Sequence, residues 1–108
     1  MALLTATVPT VTGVLAAPAA LSVADTINGN LAPNGALKVI NGSGGSVNFN
    51  LVDPGATRAG NAGTQAVTAI AAGAARWFAL SAAFVDPDDN LIHTVLSSAT
   101  SVTYELIP

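Results

Sequence analysis

Ser46-Val47-Asn48-Phe49-Asn50-Leu51 is the stretch that decides the fold of this chain. Val47, Phe49 and Leu51 alternate with Ser46, Asn48 and Asn50. In an extended strand this period of two puts the apolar side chains on one face and the polar ones on the other. Upstream, Ala36-Leu37-Lys38-Val39-Ile40-Asn41 repeats the pattern, with Leu37 and Val39 on one face, and Asn41-Gly42-Ser43-Gly44-Gly45 reads as a flexible hairpin connection between the two strands. Further upstream, Asn28-Gly29 and Asn34-Gly35 are dipeptides that accept positive φ and mark tight turns. Downstream, Asp53-Pro54-Gly55 ends the decisive strand, and Ala56 to Thr64 reads as a polar, Gly-containing loop carrying Arg58. Strands are predicted at Ala66–Ile70 and Arg76–Leu80 around a turn at Ala71–Ala74, where Gly73 and the β-rich flanks override the helix propensity of alanine. Asp86-Pro87-Asp88-Asp89-Asn90 is a strong turn. Two closing strands follow it, Leu91–Leu96 and Ser101–Ile107, joined by Ser97–Thr100. Turns this regular predict an all-β fold: an antiparallel β-sandwich or β-barrel, jelly-roll or Ig-like, of about six to eight strands.

The chain of 108 residues holds one domain. Residues 1–25 are rich in Ala, Val, Thr and Pro, and Pro9, Gly13 and Pro18 rule out a long helix there. They read as an extended N-terminal arm or a first strand, ahead of a single β-sandwich or barrel domain over 26–108. The arm either reaches a neighbouring subunit or lies along its own sheet edge. The stretch has no Lys or Arg, and Pro9 and Pro18 interrupt its apolar run, so neither a signal peptide nor a membrane span is expected.

Composition narrows function by exclusion. Nine charged side chains (three basic, six acidic), one histidine and no cysteine leave few groups to move protons or hold metal, so no enzyme is expected. Lys38, Arg58 and Arg76 are the only cations and form no phosphate-binding footprint, so no nucleic-acid partner is expected. A hydrophobic content of 51% beside so few charges predicts that part of the surface is buried in an assembly, as a homo-oligomer with a trimer favoured.

Each reactive-looking motif has a structural reading that explains it. Asp86, Asp88 and Asn90 alternate like the first ligands of a calcium loop, but Leu91 stands where that loop needs Gly and Ser97 where it needs a bidentate Glu. The segment reads as a turn. His93 lies within a strand on a face shared with Leu91 and Val95, with no nucleophile signature around it, and reads as a partly buried or interfacial neutral imidazole. Gly42-Ser43-Gly44 lacks the spacing of a nucleophile elbow, and the Gly42–Gly45 loop lacks the Gly-Lys-Ser/Thr of a phosphate cradle. In Arg76-Trp77-Phe78 one ring is expected to enter the core and the other to face a subunit contact, because strand neighbours point oppositely. An exposed Trp could instead stack on a sugar. No catalytic, cofactor-binding or metal-ligating residue is assigned.

With turns and strands placed, a resemblance emerges. It is carried by Asp25-Thr26, a Gly/Asn turn, the Leu-x-Val-x-Asn-Gly-Ser-Gly run at Leu37–Gly44, the Val47–Val52 strand and Asp53-Pro54-Gly55. Gly60-Asn61-Ala62-Gly63, an Ala-Gly turn before Arg76-Trp77-Phe78, and Asp86-Pro87-Asp88 continue it. The chain resembles small virion proteins of tailed bacteriophages encoded near the major capsid protein, of the capsid decoration (cement) type, over roughly Asp25–Ile107. The resemblance implies a non-enzymatic virion structural protein that binds the outside of the capsid and stabilises contacts between capsomers. Its partner would be the major capsid protein. Alternatives from other classes are a head–tail or tail structural subunit and a bacterial surface β-sandwich binding module.

Overall fold

The computed structural model describes residues 2–14, 18–32, 34–55 and 67–108. The expected loop with Arg58, the Gly60–Gly63 segment and Ala66 lie outside these. The described residues form nine strands: β1 (Ala19–Ala20), β2 (Ala24–Asn28), β3 (Ala36–Asn41), β4 (Val47–Leu51), β5 (Thr68–Ile70), β6 (Ala75–Ala79), β7 (Val85–Asp86), β8 (Leu91–Leu96) and β9 (Val102–Ile107). Their only helical pieces are two 3-10 turns, Gly29–Leu31 and Ala82–Phe84. The strands build two antiparallel sheets, β1-β9-β3-β6 and β2-β8-β4-β5, with β7 pairing the remaining length of β8 beside β4. Nine is one more than the expected range allows, and the two-residue pairings β1 and β7 are too short to leave a sequence pattern.

The sheets pack face to face, and alternation fixes what lies between them. β3 contributes Leu37 and Val39, and β9 contributes Val102, Tyr104 and Leu106. These meet Val47, Phe49 and Leu51 of β4, with Ile27, Ile70, Ile92 and Leu96 from the same layer. Each of these side chains is almost fully removed from water, which contributes about 1.5–3 kcal/mol for a large aliphatic or aromatic group. Phe78 of β6 packs against Phe49 with ring centroids 4.8 Å apart, tilted by 49°.

Consecutive strands mostly change sheet, and this corrects the hairpin reading at Gly42–Gly45. β3 and β4 belong to different sheets and do not pair, so the segment is an arch over the end of the sandwich. Asn41, buried at the end of β3, fixes it. Its Nδ2 donates to the carbonyls of Gly45 (2.8 Å), Ile70 (3.0 Å) and Ala71 (3.3 Å). Its Oδ1 accepts from the Ser43 backbone N–H (3.0 Å) and hydroxyl (2.6 Å). One amide thus ties the β3–β4 arch to the β5–β6 turn. The dipeptides at 28–29 and 34–35 are a second correction, since neither uses positive φ. Gly29 is needed because a Cβ there would clash with the Asn90 carbonyl oxygen, to which its own N–H donates.

Residues before β1 belong partly to the sandwich. Leu4 is buried in the core, and Ala2 to Leu4 run parallel to β2 through hydrogen bonds with Thr26. The chain then crosses to the other sheet, where the Thr5 N–H donates to the Tyr104 hydroxyl (3.0 Å) and the Thr7 N–H to the Leu106 carbonyl (2.7 Å).

Asp25 closes this corner. Its buried carboxylate accepts from the backbone N–H of Ala2 (3.0 Å), the backbone N–H of Ser22 (2.8 Å) and the Ser22 hydroxyl (2.6 Å). Burial alone would raise its pKa, but the hydrogen bonds from Ser22 and Ala2 outweigh burial and hold the carboxyl below its ordinary value. A depressed folded-state pKa contributes stability above the unfolded value of about 3.9, and that stability is lost as pH falls through the folded value. Asp25→Asn is therefore expected to cost about 1–3 kcal/mol at neutral pH, because an amide NH₂ replaces one acceptor. Urea unfolding should show the difference from wild type shrinking below about pH 4. A difference that stays constant with pH would show that the charge is not what matters.

Candidate interaction surface

β6 is an edge strand whose N–H and C=O groups divide by alternation. The Ala74 carbonyl and the Leu80 N–H bond to the β3 side, which places Arg76 and Phe78 on that side as well. The backbone groups of Ala75, Trp77 and Ala79 therefore point away from the sheet, and no partner takes them up among the described residues. On the outer face Trp77 stands 56% exposed, with the Lys38 ammonium 5.6 Å from its ring centroid and Lys38 in turn 3.8 Å from Glu105. Phe78 enters the core and Trp77 faces outward, the division that strand alternation predicts. An open hollow beside Trp77 is lined by Arg76, Ser46 and the alanines of the β5–β6 turn.

A second apolar surface is the segment after Thr7. Val8, Val11 and Val14 are 64%, 106% and 48% exposed, so this stretch leaves the sandwich that Leu4 is anchored in. A third lies on the outer face of the other sheet, where exposed Val95 borders a hollow of ≈ 330 Å³ shared by Val52, Pro54, Phe84, Asp86 and His93.

The motifs weighed in the sequence fall as follows. Asp86 ends β7, and Asp88 and Asp89 form the turn. Asn90 takes the left-handed conformation (φ 57°) that closes this turn onto β8. The Asp86 Oδ1 accepts from the Asp88 N–H (2.9 Å) and the Asp89 Oδ1 from the Leu91 N–H (2.9 Å), the self-bonding that Asx turns use. His93 sits on the outer face of β8, half-buried, with its Nε2 2.8 Å from Asp89 Oδ2 and 4.0 Å from Asp86 Oδ2. The Leu91 N–H is the main cause that holds the Asp89 carboxyl below its ordinary pKa, helped by His93. Sequence reading put His93 on the correct face and Asp89 in the turn but did not pair the two. The signal was the four-residue spacing across a turn that folds back on itself. Gly42–Gly45 forms the arch already described.

Comparison of the chain with protein-family models, with curated proteins and with solved structures gives no significant match.

Proposed function

We propose that this chain is a non-enzymatic structural protein of a phage virion. In this reading it binds the outside of the capsid as a homotrimer and stabilises contacts between major capsid protein capsomers. The observation that carries the reading is the segment 8–14: an apolar strip with three exposed valines, tethered to a rigid sandwich by Leu4 and the Thr5 and Thr7 hydrogen bonds. Such a strip is suited to lie in a groove between neighbouring subunits, where its burial would contribute through area rather than charge. The open β6 edge and the charge-poor surface support the same reading, and the turn motifs resemble those of decoration proteins.

The test is co-sedimentation with undecorated capsid shells. Wild type is expected to bind stoichiometrically and with little dependence on salt, since so few charges are present to be screened. Replacing Val8, Val11 and Val14 with serine should change folding stability by less than about 0.5 kcal/mol, because these side chains are already in water. The same replacement should weaken shell binding at least tenfold. Unchanged binding by that variant would remove the segment from the interface. The alternative of a surface binding module rests on exposed Trp77 beside the Arg76 hollow; retention on a glycan array with no binding to shells would favour it.

A further inference from the structure

We propose that Asp86, Asp89 and His93 form a binding site for a divalent transition metal ion of the zinc type. The inference is independent of the virion reading. Three side chains from three places meet here: Asp86 from the end of β7, Asp89 from the turn and His93 from β8. One ligand atom from each lies within 4.8 Å of the other two. Around a four-coordinate ion with bonds of about 2.0–2.2 Å, neighbouring ligand atoms stand about 3.4 Å apart. The imidazole–Asp89 separation of 2.8 Å would open slightly and the imidazole–Asp86 separation of 4.0 Å would close slightly. Both shifts are within reach of partly exposed side chains.

The carboxylates are already oriented for this task. Each spends its Oδ1 on a backbone N–H of the turn, Asp88 for Asp86 and Leu91 for Asp89, which leaves both Oδ2 atoms facing the same Nε2. Locked ligand rotamers of this kind lower the cost of assembling a site. Asp86 and His93 also line the hollow beside Val52, Pro54 and Phe84, so an ion held by the three would keep a face open to water. Ligand chemistry sets the metal class. One imidazole nitrogen with two carboxylate oxygens suits zinc, cobalt or nickel, whereas calcium and magnesium favour oxygen-only shells. Binding through Nε2 needs the neutral tautomer with its proton on Nδ1: a neutral ring protonated on Nε2 reaches it by moving that proton to Nδ1 with no net release, and an imidazolium reaches it by releasing its Nε2 proton to solvent. The bound ion would clip β7 and the turn to β8.

The experiment is calorimetric titration of Zn²⁺ into the metal-free full chain, with Co²⁺ in parallel, followed by its visible absorption. Saturable one-to-one binding is expected, with a Co²⁺ spectrum showing nitrogen and oxygen ligation and no competition from Ca²⁺. His93→Ala and Asp89→Asn should each weaken binding by about tenfold or more. Asp89→Asn is the safer variant, since its amide oxygen can still accept from Leu91 N–H and preserve the turn; circular dichroism and the Tm in EDTA check that it folds. No saturable binding at millimolar metal would overturn the proposal. So would binding that is unchanged in both variants, which would place the ion elsewhere.

Discussion

Replacing Asn41 with aspartate is expected to destabilise the fold by about 3–5 kcal/mol, a large part of the total stability of a domain this size. The two side chains have nearly the same shape, so packing is not at stake. The loss comes from charge and hydrogen-bond direction. The Asn41 NH₂ donates to the carbonyls of Gly45, Ile70 and Ala71, and in the aspartate these three acceptors would face a buried carboxylate. The variant must either hold an unpaired charge beside three carbonyl dipoles or take up a proton, and both cost several kcal/mol. Asn41→Ala, which leaves the same carbonyls without their donor, should cost about 2–4 kcal/mol. Urea unfolding should show the midpoint falling with an unchanged slope, and more steeply for aspartate than for alanine. A loss below about 1 kcal/mol in both variants would mean that the arch is held by its backbone alone.

Phe49→Ala should have an effect of similar size, about 3–5 kcal/mol, by a different mechanism. Phe49 is fully buried at the centre of β4, and its ring packs at a tilt against Phe78 from the opposite sheet. Truncation removes the transfer free energy of the ring. It also leaves a void that two hydrogen-bonded sheets cannot collapse to fill, because each strand is pinned by its neighbours. Phe49→Leu should recover more than half of the loss by refilling most of that volume. A thermal scan of the three proteins checks both statements. An Ala variant within about 1 kcal/mol of wild type would show that the core relaxes freely around this position.

These two residues also mark where the sequence was legible. Phe49 lies in a run whose period of two survives any tertiary arrangement, so β4 was found from the residues alone, as were β3 and β8 with their observed limits. Asn41 was read as the end of β3 and the start of a hairpin connection, because Gly and Ser after a strand look alike in a hairpin and in an arch. Only the distant carbonyls of Ile70 and Ala71 distinguish the two. Gly29 was misread for the same reason: its partner is Asn90, distant in sequence and next along the β2–β8 register. Leu4 and Leu21 joined the core without an alternating neighbourhood to announce them. At the candidate metal site, Asp89 and His93 were each visible, but their convergence depends on Asn90 adopting a left-handed turn. Local pattern was readable here, and long-range partnership was not.

The place of β9 has a kinetic consequence. It lies between β1 and β3, and its Tyr104 hydroxyl and Leu106 carbonyl also receive the N–H groups of Thr5 and Thr7, with 99 residues separating Thr5 from Tyr104. Three early segments thus wait for one late one. Until residues 102–107 have been synthesised, the edge of β3 that carries the backbone groups of Ala36, Lys38 and Ile40 has no partner strand, and β1 has nothing to pair with. Closing such long loops before any contact repays them makes folding slow, on the millisecond-to-second scale of all-β domains. The interval leaves an apolar strand edge open to neighbouring chains. Yield on overexpression should therefore depend on temperature and synthesis rate more than the stability of the finished sandwich would suggest.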